Sequence, residues 1–108
     1  MTDILKDIFK TIKDRKQNKL EGSYTCYLFE KGLDKILKKC GEECSETIIA
    51  AKNGDKLETT NEICDLLFHL LVLMAECNIP FEMVEKELKI RQEKQKNLKA
   101  VKAVDKNS

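Results

Sequence analysis

With 108 residues, 36% of them charged and 6% aromatic, the chain is long enough for one domain with a modest core and too short for several. A formal net charge of +1 excludes recognition of nucleic acid or an anionic membrane through a global positive field, so any anion must be bound locally. One proline, four glycines and no run of alternating polar and apolar residues argue against a sheet and predict an all-α fold.

The N-terminal MTDILKDIFK lacks the basic start and continuous apolar stretch of a signal peptide. Thr2 or Asp3 is expected to cap a first helix in which Ile4, Leu5, Ile8, Phe9 and Ile12 recur at helical spacing, ending near Lys16. KQNKLEG has no periodicity. Past Gly22 and Ser23-Tyr24-Thr25, a short helical segment is predicted from Leu28 and Phe29, interrupted at Gly32, in a polar and mobile connection.

From Leu33 the stripe Leu33, Ile36/Leu37, Cys40, Cys44, Thr47/Ile48 and Ala51 predicts the second main helix, with Asn53-Gly54 as its stop. On that projection Lys39, Glu43, Glu46 and Ala50 share an adjoining face beside the core, a placement that suits a cleft wall. Asp55 and Glu58 have the form of a capping box, so the next helix starts at once and the two become antiparallel neighbours.

Cys64 to Cys77 is apolar except for Asp65, His69 and Glu76, and such a helix should be buried. Glu62, Asp65 and His69 share a face with Leu66 and Leu73, while Leu67, Phe68, Leu70, Leu71, Val72 and Met74 cover the others. This is more apolar surface than three companion helices of a small monomer cover, and it predicts a homodimer with this helix at its centre. Leu66 to Ala75 is too short, and its flanks too polar, for a membrane span.

Asn78-Ile79-Pro80 ends this helix, and Pro80 suits the first turn of a fourth, whose weaker stripe is Phe81, Val84, Leu88 and Ile90. The expectation is four main helices with an antiparallel central hairpin in a domain over residues 1–94, then a polar, lysine-rich tail over 95–108 with VKAVDKNS frayed. The five cysteines are odd in number and set among apolar residues, which predicts reduced, buried thiols in a cytoplasmic protein.

The chemistry lies in two pairs of acids, Glu43 with Glu46 and Glu62 with Asp65, each three residues apart and so on one helical face. An antiparallel hairpin brings such pairs together, where their repulsion calls for a cation. Hard oxygen donors suit Mg²⁺, with Mn²⁺ also acceptable. Lys38, Lys39 and Lys52 flank the acids and would meet phosphate oxygens, so metal, carboxylates and lysines together describe a phosphate-ester or anhydride hydrolase. The competing account is a solvated face of weak ion pairs. A di-iron site would need Glu-x-x-His, which His69 does not complete; that histidine reads as an interior or interface residue, with support of Asp65 from behind as its alternative role. Cys40, Cys44 and Cys64 read as small apolar residues.

EExxE at Glu42, Glu43 and Glu46 followed by ExxD at Glu62 and Asp65 resembles the metal motif of the all-α, MazG-like nucleoside triphosphate pyrophosphohydrolases. The longer likeness, in GSYTCYLFEKGLDKILKKCGEE, ETIIAAKNGD and EICDLLFHLLVLMAE, is to the phosphoribosyl-ATP pyrophosphohydrolase branch of histidine biosynthesis. It runs from about Ile4 to Arg91; cysteines at 40, 44 and 64 and Phe68 depart from the usual small apolar residues and tyrosine.

The resemblance implies an obligate homodimer that hydrolyses phosphoribosyl-ATP to phosphoribosyl-AMP and pyrophosphate. Glu43, Glu46, Glu62 and Asp65 would hold Mg²⁺, with Glu42, Glu43 and Glu46 as the catalytic set. Glu42 would orient water or hold a second ion. Lys38, Lys39 and Lys52 would stabilise pyrophosphate, and Ser23, Tyr24 and Thr25 would grip the ribosyl phosphate or adenine. A functional link to phosphoribosyl-AMP cyclohydrolase is also implied. The alternatives are a housecleaning (d)NTP pyrophosphatase of the same fold and a non-catalytic dimerisation module.

Overall fold

The computed structural model describes residues 2–97. It contains α1 (Thr2–Gln17), α2 (Tyr24–Lys31), α3 (Leu33–Lys52), α4 (Lys56–Glu76) and α5 (Phe81–Asn97), with no strand among the described residues. The all-α expectation holds, with the short α2 added to the four main helices.

Helix α1 begins at Thr2, and Asp3 stands in its first turn, where a negative charge meets the positive end of the helix dipole. Helix α2 starts at Tyr24 rather than at Leu28, because the Cys26 N–H donates to Ser23 Oγ at 3.2 Å and Ser23 becomes the N-cap. Tyr24 and Thr25 are therefore helical. Gly32, with φ 90°, lets the chain turn directly from α2 into α3.

The turn between α3 and α4 is as short as expected: Gly54 has φ 72°, and the Glu58 N–H donates to the Asp55 side chain at 3.0 Å. The most extensive packing in the chain is α3 against α4, and α1 lies against α4 and α2. The core gathers Phe9 and Ile12 from α1, Leu28 from α2, Ile36 from α3 and Leu71, Val72 and Ala75 from α4. It occupies the end of the hairpin remote from its turn. Leu28 is wholly buried, so Leu28→Ala is expected to destabilise the fold by about 2–5 kcal/mol, read from the urea midpoint.

The structure corrects the expected seam of α3. The covered line is Ile36, Cys40, Glu43, Thr47 and Ala50: it keeps Ile36, Cys40 and Thr47 of the expected stripe and adds Glu43 and Ala50 from the anticipated cleft wall, while Leu33, Leu37, Cys44, Ile48 and Ala51 stay exposed in the single chain. Both lines have helical spacing, and α4 chose the one carrying Glu43. The thiols also differ from expectation: all five are free, but Cys26 alone is buried, Cys40 is half-buried, and Cys44, Cys64 and Cys77 are exposed.

Asn78 takes a left-handed φ of 57° after α4, and the chain enters α5 through Pro80. Phe81 sits 6.1 Å from Phe9 between ring centroids and Lys6 pairs with Glu85 at 3.4 Å, but the rest of α5 is largely exposed. It continues past Arg91 to Asn97; VKAVDKNS lies outside the described residues. No single helix among them is long and apolar enough to cross a membrane.

Candidate metal centre

Just beyond the core, where the α3–α4 seam turns polar, Glu43 projects between the helices and is 6% exposed. One carboxylate oxygen each from Glu43, Glu62 and Asp65 lies within 4.8 Å of the others. The i to i+3 spacing of Glu62 and Asp65 puts both on the α4 face that meets Glu43.

Two atoms test whether a cation fits. Glu43 Oε2 and Glu62 Oε1 are buried without a hydrogen-bond partner among the described residues. An orphaned carboxylate oxygen is costly, and two beside one another are a cradle for positive charge. All three donors are hard oxygens, so the set fits Mg²⁺ or Mn²⁺. The buried acid is Glu43, however, and not Asp65: the apolar run around Asp65 predicted burial, but its residue is exposed in the single chain.

Lys39 reaches the centre from α3, 3.3 Å from Glu42 and 3.6 Å from Glu43. Burial works against its charge, but the hydrogen bond to Glu42 and the nearby Tyr24, Glu42 and Glu43 outweigh this and hold its pKa above the usual lysine value. On the opposite side His69, buried on α4, joins α2: its Nε2 is 2.9 Å from the Tyr24 hydroxyl and its Nδ1 is 2.7 Å from the Asp65 carbonyl oxygen. Burial raises the Tyr24 pKa; Lys39 opposes this, and Glu43 and Asp65 add to it.

A seam that encloses carboxylates, with a lysine at its edge and an ordered tyrosine beside it, is equipped for a metal-bound phosphate ester. Comparison with known proteins points to the same class of chemistry. The family model described as phosphoribosyl-ATP pyrophosphohydrolase matches residues 5–92. The chain belongs to the phosphoribosyl-ATP pyrophosphohydrolase family. Among curated relatives named phosphoribosyl-ATP pyrophosphatase, that of Clostridium botulinum (strain Kyoto / Type A2) is 59% identical over 92 residues, covering 85% of this chain and 84% of the relative. That of Bacillus mycoides is 59% identical over 91 residues, 84% of this chain and 85% of the relative. The Streptococcus thermophilus protein is 54% identical over 95 residues, 88% and 91% of the two chains.

In this phosphoribosyl-ATP pyrophosphohydrolase family member, the residues singled out from sequence fall into two groups. Glu43, Glu62, Asp65, Lys39 and Tyr24 meet at the centre. Glu46 stands outside the group of three: it is exposed and contributes instead to the charge around Glu62. Glu42 is exposed and tied to Lys39, while Lys38 and Lys52 are exposed without an ion pair among the described residues. Ser23 serves as the α2 cap, and Thr25 is half-buried on α2. One participant, Glu58, and one bond, between His69 and Tyr24, were not anticipated at this site. Glu58 lies one turn before Glu62, a like-charged i to i+4 pair that the spacing makes visible. The His69–Tyr24 bond spans 45 positions and left no local signal.

Glu62 carries the electrostatic consequence. A hydrogen bond with Glu58, then burial, then Glu43 and Glu46 push its pKa from 4.5 to about 8. The folded, metal-free state holds this proton more tightly than the unfolded chain. The associated stability is complete below the unfolded pKa of 4.5 and is lost as pH rises through about 8. Urea titrations in chelator are expected to show the wild type weakening across that window and Glu62→Gln weakening less. Because a bound cation displaces the proton, Mg²⁺ affinity should rise over the same window, by up to about tenfold per pH unit.

Proposed function

We propose that this chain hydrolyses 1-(5-phospho-β-D-ribosyl)-ATP to 1-(5-phospho-β-D-ribosyl)-AMP and pyrophosphate, the second step of L-histidine biosynthesis. The observation that carries the reading is the convergence of Glu43, Glu62 and Asp65, with two orphaned oxygens, in a chain of this family. Glu43, Glu62 and Asp65, with Glu46 beside them, would hold Mg²⁺, or Mn²⁺ in its place. When bound, the cation neutralises phosphoryl oxygens and makes a water a better nucleophile.

The chain's own residues do the rest. Glu42, exposed at the rim and paired with Lys39, orients the water that attacks the α-phosphorus, and a carboxylate of the site takes its proton. Lys39 stabilises charge on the departing pyrophosphate, assisted by Lys38 and Lys52 from the same helix. The broken bond is the α–β phosphoanhydride, and water supplies the oxygen retained on the nucleoside monophosphate.

The active form is a homodimer, supported by the exposed apolar faces of α3 and α4. A cytoplasmic location follows from the pathway, and phosphoribosyl-AMP cyclohydrolase is the functional partner because it consumes the product. Purified protein with Mg²⁺ should release pyrophosphate from phosphoribosyl-ATP and leave a panel of dNTPs nearly untouched. Turnover of dNTPs alone would assign it to nucleotide housecleaning; no turnover of either, with no thermal shift on adding Mg²⁺, would make it a dimerisation module.

A further inference from the structure

We infer that Tyr24 meets the nucleoside part of the substrate as a hydrogen-bond acceptor, and that His69 is the positioning residue that imposes this polarity. The inference deepens the proposed function and rests on it for the identity of the substrate.

His69 Nδ1 lies 2.7 Å from the Asp65 main-chain oxygen, an atom that only accepts, so Nδ1 carries the hydrogen. Among the described residues no acid accepts from either ring nitrogen, and the uncharged imidazole satisfies both contacts. Nε2 then presents a lone pair, and the Tyr24 hydroxyl, 2.9 Å away, donates its single hydrogen to it. What remains on the phenol oxygen is lone pairs.

The ring cannot easily turn to present anything else. It stacks on Tyr27 at 6.0 Å and 24° and on Phe68 at 6.2 Å and 29°, while the His69 ring meets its edge at 5.7 Å. Yet Tyr24 is 45% exposed, and its hydroxyl is joined through His69 to the main chain of Asp65, so it stands beside the acidic centre as a fixed wall. A fixed acceptor gains nothing from a phosphate oxygen, which is an acceptor too. It selects a donor, and on a nucleotide the donors are ribose hydroxyls and the amino hydrogens of the base. This removes the ribosyl phosphate from the roles expected for Tyr24 and keeps the nucleoside.

Calorimetry on the full chain with Mg²⁺ separates the two ends of the substrate, using AMP and inorganic pyrophosphate as probes. Tyr24→Phe, which keeps the ring stack, is expected to weaken AMP by about three- to tenfold and to leave pyrophosphate within about twofold. KM for phosphoribosyl-ATP should rise by a similar factor with a smaller change in kcat. His69→Gln, whose amide oxygen accepts from Tyr24, should retain AMP binding. His69→Leu should match Tyr24→Phe, and the double variant should be no worse than either. Unchanged AMP binding in Tyr24→Phe, or an equal or larger loss of pyrophosphate binding, overturns the inference. The probe measurements stand even where phosphoribosyl-ATP is not turned over, and Tyr24→Phe reports without His69→Leu having to fold.

Discussion

Glu62→Gln is expected to lower kcat/KM by a hundred- to a thousandfold and to abolish the rise in Tm on adding Mg²⁺, while moving the metal-free Tm at pH 6 by less than about 4 °C. The two halves come from the same pKa. With its carboxyl pushed up to about 8, Glu62 is protonated at pH 6 in the metal-free protein, and glutamine has the shape and neutrality of that protonated acid. Little is lost from the empty fold. Glutamine cannot become the anion that a cation needs, however, so the variant stays in the state the metal would have ended. Differential scanning fluorimetry with Mg²⁺ or chelator, beside a pyrophosphate-release assay, checks both halves. A variant that keeps its Mg²⁺ response and its turnover would leave the three-carboxylate centre without a role.

The second large effect concerns assembly. Ile63 and Leu70, two turns apart on α4, are 44% and 39% exposed in the single chain, and Leu67 lies between them on the same face. On α3, Leu37 and Ile48 are exposed along the stripe that the seam passed over. Scattered apolar residues on a surface are ordinary, but exposed apolar residues recurring along two neighbouring helices suit an interface. The Ile63→Asp/Leu70→Asp double variant places four charges in a two-fold interface. At about 1–1.5 kcal/mol for each side chain removed from burial, the dimerisation constant should fall by roughly a thousandfold or more. Sedimentation velocity across a concentration series is expected to show a dimer for the wild type and a monomer for the variant, with a lower Tm that no longer depends on concentration. If the variant sediments as the wild type does, the dimer uses another surface, and the exposed side of α5 is the next place to substitute.

How far the sequence went is clearest in the hairpin. Asn53-Gly54-Asp55 specifies a stop, a left-handed turn and a cap within three positions, so α3 and α4 had to be antiparallel neighbours before any contact was known. The paired acids, each one turn apart, then had to face a common seam or open water. Local chemistry could not choose the seam, because two stripes on α3 have helical spacing and differ by little more than one residue's rotation. For the same reason the apolar run around Asp65 led to the wrong buried acid: a run shows that a helix has apolar neighbours on every side, not that they belong to the same chain. The start of α2 was missed because Ser23 acts through a single side-chain bond to a backbone N–H, while the periodicity it introduces is short.

By itself the sequence determined the helical class, the hairpin, the acids available to a cation and the family, since all of these depend on spacing and on residues close along the chain. Only the tertiary structure decided that Glu43 is the acid sealed inside, that Glu46 stands back from the other three, and that His69 bonds the Tyr24 hydroxyl. Those outcomes depend on which helix face is covered and on atoms brought together across dozens of positions, and packing of the whole chain sets both.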